Sequence, residues 1–206
     1  MSMIQRMAAG LIAAGALGAL ALQTYIDITI EGDQLLAAIW SQARYFTNLM
    51  MFCVGVFFAM QFANRRLAGP GWSTALTVWI VLVGLVFHVL LSATHNPKGG
   101  DVIVNLFQHT IIPLAALGFW LAFANKQGLT FKHPLIWLAC PIGYVAFVLL
   151  RGAFDGTYPY FFLNPTDIGW PGVGAYVVGL GVLFYVSGAI LVGVARVMGR
   201  GAVSEA

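Results

Sequence analysis

Six long apolar blocks separated by short polar or turn-rich connections set the pattern of the chain: residues 7–26, 40–63, 73–94, 102–124, 134–150 and 172–197. About 20 predominantly apolar residues are what an α-helix needs to cross the hydrocarbon core of a bilayer. The pattern therefore predicts an all-α fold, an integral membrane bundle of six transmembrane helices. No Ser/Pro-rich or charged run divides the chain and no repeat of fixed period is visible, so residues 1–206 read as a single domain.

The punctuation supports the division. Arg6 precedes the first block, as in a signal peptide, but the apolar run is longer than the roughly 7–15 residues of a signal-peptide core, and it is read as the first span. Its Gly10, Ala14, Gly15 and Gly18 are small residues on neighbouring turns, suited to close helix contact. Arg65 and Arg66 close the second block, a Gly-Pro-Gly turn and Trp72 open the third, and Lys126 and Lys132 flank the turn before the fifth. Pro141 interrupts the fifth block, which ends at Arg151. The connection at 152–171 is aromatic and turn-rich without periodicity, and reads as an interfacial anchor or a substrate lid. Gly174, Gly179, Gly181, Gly188 and Gly193 predict close packing of the sixth span.

Composition narrows the class. With 60% hydrophobic and only 8% charged residues, against the roughly 25% charged residues of soluble domains, the chain does not fit a soluble globule. The formal charge of +3 comes from bases scattered between apolar blocks, which form no stripe for nucleic acid. Those bases report topology. Arg6, Arg65, Arg66, Lys126, Lys132, Arg196 and Arg200, seven of the ten, fall on the side of both termini, against Arg44, Lys98 and Arg151 opposite. The bias predicts cytoplasmic termini, and six of the seven acids, all but Glu205, lie on the outer side. Cys53 and Cys140 lie inside apolar blocks with no CxxC spacing, so neither a disulfide nor a metal site is expected.

Candidate chemistry gathers in the outer half of the spans. His109 is an ionisable group at membrane depth, and such groups face a bundle interior or cavity and mark function. Pro113 has no N–H for the carbonyl of His109 four residues earlier, so an irregular turn is expected there. Thr47 and His109 each lie seven residues inside an outer boundary, about 10 Å deep at 1.5 Å per residue, and His88 comes to about 9 Å. Arg44 and Asn105 stand three and four residues before Thr47 and His109 and can share their faces. Asn48, Ser92 and Gln108 lie close to the same layer, with Gln23 and Thr24. In the inner half Thr77, Gln61 and Ser187 are isolated.

A hydroxyl and an imidazole are the minimum for nucleophilic acyl transfer, with His109 as base for Thr47. A third group orients the base in serine-type triads. No Asp or Glu lies within the six blocks, which leaves Asn105, Ser92 or His88 for that role, with Asn48, Gln108 or a backbone N–H as donors to an oxyanion. Other readings use the same residues: His109 as interhelical packing, His88 and His109 as the ligands of a haem in an electron carrier, a transporter site, or a non-catalytic membrane protein.

Four runs carry a resemblance: Arg-Tyr-Phe-Thr-Asn-Leu at 44–49, Phe-His-Val-Leu-Leu at 87–91, Gln-His-Thr-Ile-Ile-Pro-Leu at 108–114, and Tyr-Pro-Tyr-Phe-Phe-Leu-Asn with Gly-Trp-Pro-Gly-Val between 158 and 173. Over roughly residues 40–195 the chain resembles the bacterial six-span relatives of the androgen-induced vertebrate membrane hydrolases. The resemblance implies a catalytic pair at Thr47 and His109, without cofactor, acting on fatty acid esters of hydroxy fatty acids or similar long-chain esters drawn from membrane lipid. It also implies the bacterial inner membrane as location. The carboxylate of such a substrate would suit Arg44 or Arg151, and no role is carried over for His88.

Overall fold

The computed structural model describes residues 1–65 and 69–204; Arg66 and Glu205, used in the charge split, lie outside the described residues. The described residues form helices and turns with no strand. Five helices are long and apolar enough to cross a membrane, or six if one sharply bent pair counts as a span. That is the build of a multi-pass membrane protein. The chain divides into two compact units, Met1–Asn125 and Lys126–Ala206.

The first unit holds α1 (Met3–Thr29), α2 (Leu35–Gln42), α3 (Phe46–Phe62), α4 (Pro70–Val86), α5 (Gly100–Leu106) and α6 (Ile112–Phe123). Ser2 caps α1 in a reciprocal box with Gln5. Small residues then let α1 approach its neighbours. A Cβ at Gly10 would stand 2.9 Å from the Phe62 ring, and one at Gly15 would stand 3.0 Å from Ile112 Cδ1. On the facing helix, Leu17 of α1 lies over Gly55. Gly18, expected to pack in the same way, faces open space.

Three departures from the expected spans bear on function. The second apolar block is not one helix: α2 and α3 meet at a bend of 100°. Residues Ser41 to Arg44 put four consecutive weak or polar positions into the apolar run, and the backbone N–H groups of Arg44 and Tyr45 close tight turns onto Ser41 and Gln42. Thr47 therefore sits in the first turn of α3 rather than seven residues inside a helix, and Arg44 lies in the turn, so the expected face shared by Arg44 and Thr47 does not form.

The third and fourth spans each contain a π turn, at Phe87–Leu91 and Phe107–Ile111. In the second of these, the Ile112 N–H reaches back five residues to the Phe107 carbonyl, immediately ahead of Pro113. The proline cannot close the next turn, and the helix widens beside it. Around the first, the Ser92 N–H bonds the Phe87 carbonyl, and the Ser92 hydroxyl donates to the His88 carbonyl at 2.8 Å. The third span is also the most enclosed, with 61% of its most apolar stretch buried against 33% or less in the other four.

α1 runs on to Thr29, so Asp27, expected in an outer connection, is a buried residue of a membrane helix.

The second unit holds α7 (His133–Trp137), α8 (Ala139–Asp155), a 3-10 turn (Phe161–Leu163) and α9 (Pro165–Ser204). The fifth span breaks at Leu138, three residues before Pro141, which is accommodated in the first turn of α8. The irregular connection is shorter than the sequence suggests, because α8 continues to Asp155 and α9 begins at Pro165. Tyr158 folds back flat on Gly152, where no Cβ would fit. α9 is interrupted at Gly169, which adopts φ 69° and ψ 163° two residues before Pro171. Of the glycines expected to pack α9, Gly188 meets Pro134 and Trp137, while Gly174, Gly179, Gly181 and Gly193 face open space.

Candidate functional site

His109 is held from three directions. Its Nδ1 lies 2.9 Å from the Asn105 side-chain oxygen and 3.2 Å from the Asn105 backbone carbonyl. A backbone carbonyl only accepts, so Nδ1 carries the proton and Nε2 presents a lone pair. The Phe87 ring is stacked on the imidazole, 3.8 Å between centroids and 12° from parallel. The third hold is on the backbone: a Cβ at Gly84 would stand 2.6 Å from the His109 carbonyl oxygen and 3.2 Å from Pro113. Only glycine lets α4 come this close to the π turn.

The expectation that Asn105 shares the face of His109 is met, and Asn105 is the group that orients its imidazole. Ser92, another candidate for that role, is engaged with the carbonyl of His88.

Thr47 and His109 are not joined by a hydrogen bond among the described residues. Their neighbours are. Gln108, buried at 7% exposure, donates to the Asn48 side-chain oxygen at 2.9 Å, and Asn48 donates to the Gln42 carbonyl at 3.2 Å. This clamp ties the start of α3 to the π turn, so Thr47 and His109 come from adjoining backbone at one level. Each of the two amides has a second N–H that these bonds do not use.

Gln42 extends the network outward. Its amide donates to Thr24 at 3.0 Å and to Asp27 at 2.8 Å, and Gln23 donates to the other Asp27 oxygen at 2.8 Å. Asp27 and Gln42 were not singled out by the sequence; the one signal was the i, i+4 spacing of Gln23 and Asp27 at the end of α1. Past that end, the carboxyl of Glu31 is pushed up, by loss of water contact first and then by the charges of Asp27, Asp33 and Asp101.

His88 bonds Thr110: Nε2 and Oγ1 are 3.1 Å apart. The Phe87 ring also meets the rings of His88 at 5.3 Å and His95 at 5.6 Å, so three of the four histidines surround one phenylalanine. Among the described residues no group of three or more His, Cys, Asp and Glu has the geometry to hold a metal ion. A bis-histidine haem would need this arrangement to change. Phe87 is packed against both imidazoles, the Nε2 of His88 is bonded to Thr110, and both would have to reorient.

Arg151 is buried in the second unit and bonds Asp155 at 3.3 Å. At the opposite end of the first unit from His109, Gln61 and Thr77 are not isolated. They share a cavity of about 530 Å³ with Gln5, Ser73 and Trp120. The Ser73 and Thr77 hydroxyls there donate to carbonyls of their own helix.

No protein-family description, curated protein or solved structure matches this chain.

Proposed function

We propose that this chain is a lipid-ester hydrolase with Thr47 as nucleophile and His109 as general base. The observation that carries the reading is the fixed tautomer of His109, whose Nδ1–H is taken by Asn105 so that Nε2 can accept a proton at membrane depth. Two further observations agree with it. Membrane-helix threonines normally return their hydroxyl to a carbonyl in the preceding turn. Thr24, Thr29, Thr74 and Thr77 all do so here. Thr47, in the first turn of α3, makes no side-chain hydrogen bond among the described residues and keeps its hydroxyl for reaction. The Asn48–Gln108 clamp then brings its helix to the π turn of His109.

The reaction follows from these groups. Nε2 of His109 draws the proton from Thr47, whose oxygen attacks the ester carbonyl. The second N–H of Asn48 or Gln108 stabilises the oxyanion. The alkoxide leaves with the proton from His109, and an acyl-threonine remains. Water, activated by the same imidazole, releases the fatty acid and restores the hydroxyl. Hydroxyl, imidazole and water suffice for each step. The contact between Thr47 and His109 closes on substrate, as catalytic hydrogen bonds often do.

The substrate class is a long-chain ester such as a fatty acid ester of a hydroxy fatty acid, its chains among apolar side chains and its carboxylate near Arg44. The seven-to-three split of bases supports cytoplasmic termini, in a bacterial inner membrane, with the site toward the outer leaflet.

Turnover of a long-chain ester by the purified protein tests the assignment. Thr47→Ala and His109→Ala should each lose about three to four powers of ten, and the double variant little more, because groups acting as a unit are non-additive. Near wild-type turnover in either single variant refutes it.

A further inference from the structure

Six threonines lie within the helices or π turns of the first unit, and four return their hydroxyls to a carbonyl four residues back. Thr110 does not. The partner of its oxygen is Nε2 of His88 on the neighbouring span, at 3.1 Å. That separation lies within the roughly 2.6–3.2 Å at which a general base takes a proton from a nucleophile. Both residues sit in π turns, a local geometry that recurs at functional sites and turns side chains away from the register of an ordinary helix. The Ser92 hydroxyl caps the carbonyl of His88, which fixes the backbone beneath the imidazole. His88 itself is exposed near the end of a helix long and apolar enough to cross a membrane, so the pair is open to its surroundings there.

A packing role alone explains this poorly. The bond to Thr110 uses one ring nitrogen of His88, and an imidazole otherwise left open on a membrane helix is costly unless it is used. The Thr47–His109 site has an oriented base and a hydroxyl still to be brought up. The Thr110–His88 site has the hydroxyl already on the base.

We propose that Thr110 and His88 form a second nucleophile–base pair, which takes the acyl group of a long-chain lipid ester onto Thr110. The Thr110 O–H donates to Nε2 of His88, which requires the proton of that imidazole on Nδ1. The threonine oxygen forms a bond to the ester carbonyl carbon as its proton passes to Nε2. The bond from that carbon to the alcohol oxygen breaks, and the alkoxide takes the proton from His88. Water then attacks the acyl-threonine with the same imidazole as base, releasing a fatty acid. This step uses no residue of the Thr47–His109 pair, so the two assignments stand or fall separately.

The test is reaction of the full-length protein in lipid nanodiscs with a long-chain alkyl fluorophosphonate, followed by peptide mass mapping. An adduct is expected on Thr110 in the wild type and in His109→Ala. It is expected in Thr110→Ser and absent in Thr110→Val. His88→Ala should slow labelling of residue 110 by at least 100-fold, the lower range for loss of a general base. His88→Gln keeps a hydrogen-bonding side chain without a base, should hold the fold, and should be as slow as His88→Ala. An unlabelled Thr110 overturns the proposal whether or not Thr47 is labelled. Labelling of Thr110 at an undiminished rate in His88→Gln also overturns it, by removing the base. A Thr47 adduct without a Thr110 adduct leaves the hydrolase reading in place and removes only this one.

Discussion

Gly84 shows how much of the site depends on one missing methyl group. It lets α4 meet the His109 carbonyl and Pro113 so closely that a Cβ would lie 2.6 Å from the carbonyl oxygen. A backbone atom in a packed turn cannot give way as the end of a side chain can. Gly84→Ala should therefore cost about 1–3 kcal/mol, the range for overpacking a well-filled core. Gly18→Ala, where nothing lies within 4 Å, should cost nothing measurable. Thermal unfolding of the two variants in detergent checks the contrast, and equal midpoints would contradict the close approach at Gly84. At this scale the sequence was legible where partners share a helix. Asn105 and His109 are four apart, and that spacing alone puts them on one face. Gly84, Phe87 and Thr110 were invisible because their roles depend on the rotation of one helix against another. Hydropathy carries no information about that rotation.

Elements were legible in position and less so in form. The first, third, fourth and fifth apolar blocks fall on observed helices to within about five residues, while the second divides in two and the sixth begins seven residues earlier than expected. The bend between α2 and α3 was missed because its polar residues, Ser41, Gln42 and Arg44, are too few to lower the average of a long apolar run. Pro113 foretold an irregularity, but its expression as a π turn depends on how the neighbouring span packs. Asp27 was assigned to a connection because an acid usually ends an apolar block. It remains in α1 because Gln23 and Gln42 both donate to it. Gln42→Ala removes one of those donors and leaves a buried carboxylate partly unsatisfied, with an expected loss of about 1–3 kcal/mol. Asp27→Asn should suppress much of that loss, since no charge is then left without its donor. A Gln42→Ala midpoint equal to wild type would show that the bend is held by other contacts.

For the whole molecule, the membrane class was legible from composition, and the site was legible as a layer of polar residues but not as a set of contacts. The depth argument for Thr47 assumed a straight second span, and the bend replaces it. What now relates Thr47 to His109 is the Asn48–Gln108 clamp. The charge split predicts an orientation that can be read directly. In a background with Cys53 and Cys140 replaced by serine, an impermeant thiol reagent applied to intact cells should label Thr157→Cys and not Ser2→Cys. The reverse pattern would invert the topology and turn the site toward the cytoplasm.

If Thr47 carries the acyl group with His109 as its base, the acyl-enzyme can be trapped on the protein. Purified protein is mixed with a long-chain ester, quenched in acid within the first turnover and digested. The mass of the fatty acyl group is expected on the peptide containing Thr47. That mass should be absent in Thr47→Ala and should form at least 100-fold more slowly in His109→Ala. Steady turnover with no acyl group on Thr47, or an acyl-Thr47 that forms at the wild-type rate without His109, would contradict it.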